Sequence, residues 1–398
     1  MAKKTDADSA RPPSKPLTKL VSGGRDPLSN HGFVNPPVYH ASTVVYRTAE
    51  DYLGTHGQYT YGRRGTPTSD ALTEAIAELD GPECGGVALA PSGLAAACVA
   101  LLSALRTGEH VLVTDNVYGP TRKFCDGVLA RYGIATSYYD PLIGAGIAAL
   151  MQPNTRAVFV ESPGSLSFEI QDVPAIAAAA HARGAVVLMD NTWATPLHFR
   201  ALEKGVDLSI QAATKFIGGH SDLMLGTISA NKATWKNLSD TVFSMGLCVG
   251  PDDMYLGLRG LRTLGVRLER HDASGRKIAR WLEKRPEVAR VIHPALESHP
   301  GHAIWQRDFS GACGLFSIVL KSVPDAAVHA FLNALTLFGI GASWGGYESL
   351  VIPFDCSNVR SATSWAPGGP TVRFHVGLED VDDLIADLER GFAAMAAA

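Results

Sequence analysis

Two residues delivered by the ends of apolar runs set the chemical possibilities of this chain. Lys215 follows Asp207-Leu208-Ser209-Ile210-Gln211-Ala212-Ala213-Thr214, and Asp190 closes Ala185-Val186-Val187-Leu188-Met189. A primary amine can condense with an aldehyde, and a carboxylate can keep a heterocyclic nitrogen protonated so that its ring draws electrons. Pyridoxal phosphate chemistry needs that pair, which points to an enzyme of amino acids. Taken singly, each residue has a plainer explanation. An aspartate before Asn191-Thr192 commonly caps a turn, and a lone lysine is usually a solvated charge.

Other groups with chemical reach also follow apolar runs. Ser92-Gly93-Leu94 opens a helix after a short strand, where free N–H groups and the helix dipole suit a phosphate and glycine permits its close approach. Most turns of this kind bind nothing, so alone the signal is weak. Tyr118, in Asp115-Asn116-Val117-Tyr118-Gly119-Pro120, can stack on a flat ring or merely pack. Arg373 lies inside the apolar Val372-Arg373-Phe374-His375-Val376-Gly377. A buried guanidinium requires a partner, either a structural carboxylate or the α-carboxylate of a substrate. Tyr61-Gly62-Arg63-Arg64-Gly65 adds a phenol and two guanidiniums suited to phosphate. His299 and His302 sit in a Pro/Gly loop without further ligands nearby and read as surface, with no metal expected. A phosphate turn, an aromatic, a carboxylate and a lysine, each after a strand, form a set far more specific than any member.

The elements that must position this set are legible as an alternation. Helical spacing marks 69–79, 94–105, 121–132 and 173–183, and strands are expected at 85–90, 110–114, 134–139, 157–161, 185–190 and 207–212. Such alternation predicts an α/β fold whose mostly parallel sheet carries helices on both faces, with ligands at the carboxyl ends of the strands. Residues 252–283 read as one long helix or two abutting ones, leading into a smaller α/β C-terminal domain with strands at 314–320 and 371–375 and helices at 324–335 and 379–395. The expected division is 1–65 for a disordered tail (Met1 to Pro16) and an extended N-terminal arm, 66–258 for the large cofactor-binding domain, and 259–398 for the C-terminal domain.

Composition narrows the function classes. The chain has 398 residues, 46% hydrophobic and 19% charged, with a formal net charge of −4, which gives no electrostatic reason to expect nucleic acid or a membrane surface. Six cysteines are scattered without metal-like spacing, which fits free thiols in a reducing cytoplasm. No GxGxxG follows the first strand, and GxxxxGK[ST], GxSxG and HExxH are absent. A nicotinamide-dependent dehydrogenase on a doubly wound sheet therefore loses its usual support.

The chain resembles the Cys/Met-metabolism enzymes of the fold-type I pyridoxal phosphate group, from about Leu20 to the C-terminus. The resemblance is carried by residues 59–68 (Tyr59 to Thr68), Glu161-Ser162-Pro163-Gly164-Ser165, Met189-Asp190-Asn191-Thr192-Trp193-Ala194, Gln211-Ala212-Ala213-Thr214-Lys215, Arg259-Gly260-Leu261-Arg262-Thr263-Leu264 and residues 343–350 (Ser343 to Leu350). It implies that Lys215 holds pyridoxal 5'-phosphate and then acts as the mobile base, that Asp190 pairs with the ring nitrogen, and that Tyr118 stacks on the ring near the leaving group. It further implies phosphate binding by Gly93, Leu94 and Thr214, joined by Tyr61 and Arg63 of an adjacent subunit. Arg373 would take the α-carboxylate, with Ser343, Trp344 and Tyr61 close to the substrate. Many relatives carry Ser where Ala212 stands, and its loss mildly favours the cystathionine β-lyase branch. The implied activity is β-elimination of cystathionine to homocysteine, pyruvate and ammonia in methionine biosynthesis, by a cytoplasmic homotetramer of two active dimers. Cystathionine γ-lyase, γ-synthase and methionine γ-lyase share the same apparatus, and a catalytically inactive regulatory homologue is the reading from outside enzymology.

Overall fold

The computed structural model describes residues 14–398. The expected disorder of the first residues thus lies largely outside the described residues, and Pro16 already opens a helix. The helices are α1 (Pro16–Ser22), α2 (Ala49–Leu53), α3 (Pro67–Asp80), α4 (Gly93–Ala104), α5 (Gly119–Phe124), α6 (Val173–His181), α7 (Thr195–His198), α8 (Trp235–Ser244), α9 (Pro251–Leu282), α10 (His302–Asp308), α11 (Asp325–Ala334) and α12 (Val381–Ala397). The larger sheet is built from β1 (Cys84–Ala90), β2 (His110–Thr114), β3 (Ala135–Tyr139), β4 (Thr155–Glu161), β5 (Val186–Asp190), β6 (Leu208–Ala212) and β7 (Gly226–Asn231). The smaller one contains β8 (Val288–Ile292), β9 (Leu315–Leu320), β10 (Gly339–Ile340), β11 (Leu350–Phe354) and β12 (Thr371–His375).

Strand order in the larger sheet is β1-β7-β6-β5-β4-β2-β3. The pairs from β6 to β3 are parallel, and β7 is antiparallel to both β1 and β6. Only β7 therefore runs against the rest, and six carboxyl ends point to one edge. Side chains alternate between two apolar layers, as a strand period of two demands. Leu112, Val158, Val160, Val187 and Met189 face the core that includes Leu72 and Ile176, while Val111, Val113, Phe159 and Leu188 face the core of α4 and α8. With both faces covered, β2 is buried at every position, which explains its apolar centre Val111-Leu112-Val113.

Local signals account for the helices that frame the site. Thr66 and Ser69 form a reciprocal capping box at the start of α3, with Pro67 in its first turn. Ser92 caps α4, its Oγ accepting from Ala95 N at 3.1 Å. The helix expected at 121–132 begins as α5 and widens into a π turn over Cys125–Leu129. The stretch 19–65, expected as an extended arm, holds α2 and the end of α1, whose Leu20 is buried against α9.

The smaller sheet has the order β10-β11-β12-β9-β8 and is antiparallel except for β10 with β11. Phe374 of β12 faces the helical layer, packing with Phe316, Phe331 and Phe338. Its neighbours Arg373 and His375 therefore leave the opposite face of the strand. A single helix, α9, runs from the larger sheet's layer to the smaller sheet and crosses the expected division at 258. Its buried Arg267 donates to the carbonyls of Phe216 and Gly260, both at 2.7 Å, and so holds the main chain just after Lys215.

His299 corrects an expectation. It is buried, with Nδ1 accepting from Gly301 N at 3.0 Å, because the loop's backbone donor folds back over the ring. Among the described residues no group of three metal-ligating side chains forms, and all six cysteines are free.

Candidate active site

The carboxyl edge of the larger sheet collects the residues singled out above. Ser92–Leu94 follow β1, Tyr118 follows β2, Glu161 ends β4, Asp190 ends β5 and Lys215 follows β6. Arg373 reaches the same place from β12, and Ser343 and Trp344 from the segment before β11. Lys215 Nζ donates to Ser343 Oγ at 2.7 Å and stands 5.4 Å from the centre of the Trp344 ring. Burial, reinforced by the nearby Arg373 cation and opposed by Asp190, pushes the Lys215 amine down to about 8.

Asp190 serves both readings. Its Oδ1 accepts from Thr192 N at 3.0 Å and from Thr192 Oγ1 at 2.6 Å, which is the turn cap. Among the described residues its Oδ2 receives no hydrogen bond, although burial raises the carboxyl above its usual range. A desolvated carboxylate with a free oxygen calls for a cationic N–H donor.

Arg373 is the sharpest observation. It is buried, and among the described residues it forms no ion pair. Nη2 donates to the carbonyls of Ala342 at 2.8 Å and Ser343 at 3.1 Å, while Nε is buried without any partner. Of the two partners considered for it, the structural carboxylate is not found among the described residues, and burial lowers the guanidinium to about 10. A fork with unmet donors suits a planar carboxylate supplied from outside.

Glu161 was missed as a site residue, although it ends a strand as Asp190 does. It lies beside Asp190 in the register of β4 and β5, and its Oε2 accepts from Tyr118 N at 2.8 Å. Burial first, and then Asp190, push its carboxyl well above the usual range. The Tyr118 phenol is likewise raised, by burial and by the Asp190 and Glu161 charges, so it stays protonated. Asp115 was missed too. It accepts from the backbone N atoms of Ser361, Ala362 and Thr363 at 2.9, 3.1 and 2.7 Å and from Arg122 at 2.5 Å, clamping a C-terminal loop beside Tyr118. Long-range partners of this sort leave no mark in local spacing.

The turn expected to hold a phosphate is tightly fitted. A Cβ at Gly93 would stand 2.4 Å from Ala212 Cβ, so only glycine permits the helix to begin here. The N–H groups of Gly93 and Leu94, in the first turn of α4, have no intrahelical acceptor. Thr214 is less free, since its Oγ1 donates to Leu225 O at 3.2 Å and accepts from Leu225 N at 3.1 Å. Tyr61 and Arg63 are not brought to this cluster within one chain. Arg63 Nη1 donates to Phe243 O at 2.8 Å, its guanidinium lies over the Phe243 ring, and the Tyr61 hydroxyl meets Ser42 Oγ at 3.4 Å.

Free N–H groups at a helix start, an anion with an open oxygen, a depressed lysine and an unpartnered arginine fit the donor and acceptor pattern of pyridoxal phosphate carrying an amino acid. The comparisons agree. A family described as Cys/Met metabolism PLP-dependent enzyme matches residues 17–393. A putative cystathionine beta-lyase of Rhizobium johnstonii is 54% identical over 96% of each chain. The cystathionine beta-lyase of Salmonella typhimurium is 47% identical over 94% of this chain and 98% of its own length. The crystal structure of cystathionine gamma synthase from Xanthomonas oryzae superposes with a TM-score of 0.89 at 31% identity, covering 97% of this chain and 100% of that one. With its strand-end lysine and aspartate on the fold that these relatives share, the chain belongs to the pyridoxal phosphate-dependent enzymes of Cys/Met metabolism.

Proposed function

We propose that this protein cleaves L-cystathionine by β-elimination, giving L-homocysteine, pyruvate and ammonia with the uptake of one water. The observation that carries an amino-acid substrate is the buried, unpartnered Nε of Arg373 beside Lys215 and Asp190. The β-lyase branch is supported by the relatives at 54% and 47% identity that bear that name, against 31% for the γ-synthase structure.

When bound, the pyridinium ring supplies an electron sink that stabilises negative charge at Cα. The chain's residues do the rest. Arg373 receives the α-carboxylate on Nε, and on Nη2 if that group turns from one of its two carbonyls, fixing the Cα–H bond relative to Lys215. Asp190 Oδ2 would keep the ring nitrogen protonated and Tyr118 would cover the ring, while the N–H groups of Gly93 and Leu94 would take phosphate oxygens, with Thr214 joining if its hydroxyl turns from Leu225. Lys215 Nζ removes the Cα proton, for which a pKa near 8 is well matched to neutral pH. As the Cβ–S bond breaks, the sulfur keeps the electron pair and takes a proton, which the Tyr118 phenol, held protonated by burial, supplies in this reading. The three-carbon fragment is hydrolysed to pyruvate and ammonia.

Incubation of the purified protein with L-cystathionine tests this reading. Equimolar pyruvate and homocysteine are expected, whereas 2-oxobutyrate with cysteine would reassign the protein to γ-elimination. Gly93→Val is expected to weaken cofactor binding at least about tenfold, measured by absorbance titration of the cofactor-free protein, because its side chain meets Ala212 and displaces the helix start.

The arm's exposure supports shared sites. Leu28, Val45 and Leu53 are 90%, 89% and 80% exposed, a density of apolar surface that a second copy would cover. In this reading Tyr61 and Arg63 leave Ser42 and Phe243 to reach the phosphate and substrate of an adjacent subunit, within a homotetramer acting in the cytoplasm. No helix among the described residues is long and apolar enough to cross a membrane. Mixing Arg63→Ala or Tyr61→Ala protein with Lys215→Ala protein is expected to restore activity through hybrid dimers, to about a quarter of wild type for random pairing. Mixtures as inactive as their components would mean each chain completes its own site.

A further inference from the structure

Behind Lys215 lies a buried imidazole pair with unmet hydrogen-bonding capacity. His375 is 0% exposed, and its Nε2 lies 3.1 Å from Gly345 N and 3.0 Å from Gly346 O. Its Nδ1 is buried without a partner. One ring nitrogen cannot accept and donate at once, so only one of the two contacts is a hydrogen bond in a given tautomer. His271, from α9, lies within 2.8 Å of Val376 O through Nδ1 and donates there, which leaves its buried Nε2 a bare lone pair. The two rings are 5.2 Å apart. The Gly345 N–H is directed at His375 Nε2 with hydrogen-bond geometry, a contact made in the tautomer in which Nε2 accepts and the proton sits on Nδ1. Burial lowers His375 to about 3, so the ring is neutral.

Gly345 is where this bond acts. Its φ is +86°, and a Cβ there would stand 2.9 Å from Lys215 C and Phe216 N and 3.0 Å from Lys215 Cα. The segment 343–346 therefore rests directly on the main chain of Lys215. The same segment offers Ser343 Oγ to Lys215 Nζ and the Ser343 carbonyl to Arg373. Phe216 fills the space between, with its ring 5.5 Å from Trp344 and 5.9 Å from His375.

We propose that His375 is a positioning residue: by accepting the Gly345 N–H, its Nε2 sets the height of the 343–346 segment over Lys215, and with it the placement of Nζ against Ser343 Oγ. The proposal rests on the reading of Lys215 as the base and deepens it. His375 touches no reacting atom. Its effect falls chiefly on proton transfer, hence on kcat, because Arg373 keeps its shorter contact to the Ala342 carbonyl, which lies outside that segment.

The test compares His375→Gln with His375→Asn. A glutamine carries an amide oxygen out to the position of Nε2, while an asparagine stops near Nδ1. The asparagine variant is expected to lose at least about tenfold in kcat with KM within about threefold, and the glutamine variant to stay within about threefold of wild type in both. Hydrogen–deuterium exchange of residues 342–346 in the cofactor-free protein gives a readout independent of turnover. It is expected to be at least about tenfold faster in the asparagine variant and near wild type in the glutamine variant. Wild-type kcat or exchange in the asparagine variant would overturn the proposal, as would equal impairment of both variants, which marks a packing role. Should the asparagine variant not fold, His375→Met replaces it, filling the space without an acceptor. Since exchange is read without cofactor or substrate, failure here stays distinct from failure of the β-lyase reading.

Discussion

Lys215→Ala is expected to lower turnover of L-cystathionine by about three to four orders of magnitude, the scale set by loss of a positioned base together with its covalent role. The visible absorbance that marks cofactor joined to a lysine should vanish from the variant, while Asp190 and the N–H groups of Gly93 and Leu94 still permit reversible binding. The depressed pKa adds a dependence on pH. A lysine with a pKa of about 8 is neutral in roughly one molecule in ten at pH 7, against a few in ten thousand at the ordinary value. Only the neutral amine condenses with an aldehyde. Covalent uptake of cofactor by the stripped wild-type protein should therefore rise nearly tenfold per pH unit towards about 8 and level off above it. A rise continuing unabated to pH 10 would mean that the amine is not desolvated as its surroundings imply.

Arg373→Leu is expected to cost about two to three orders of magnitude in kcat/KM for amino-acid substrates, most of it in KM, as befits a bidentate charge-assisted contact. Arg373→Lys should recover little, because an ammonium cannot present the fork. Stability is the discriminating readout. A structural ion pair would show as strong destabilisation of the leucine variant, but Arg373 has no carboxylate partner and carries a buried orphan Nε. Its removal relieves an unpaired buried charge, so the melting temperature should hold or rise. Unchanged KM with a large fall in stability would place the clamp elsewhere.

The strands that position the site were the most legible part of the chain, because a parallel sheet covered on both faces writes nearly continuous apolar runs. The expected 110–114 coincides with β2, and the ends of β4, β5 and β6 fall on Glu161, Asp190 and Ala212 as anticipated. Strand β7 was not anticipated, since Gly226-Thr227-Ile228-Ser229-Ala230-Asn231 is rich in small and polar residues, and its role as the one reversed strand depends on its neighbours. In the C-terminal half β8 and β11 escaped for similar reasons, Val288-Ala289-Arg290 and Pro353 breaking any simple pattern. Strand-end chemistry was visible for Lys215 and Asp190, whereas Glu161, Asp115, Arg267 and His375 gain their parts only through contacts across the fold. Arg373 stood out in the sequence as a guanidinium inside an apolar strand, and the structure adds that its Nε is buried without a partner.

Borohydride reduction of the cofactor-loaded protein, followed by mass spectrometry of its peptides, tests the central assignment most directly. One phosphopyridoxyl group per chain, on the peptide that contains Lys215, is the expected result. The group on any other lysine, or on none, would contradict it.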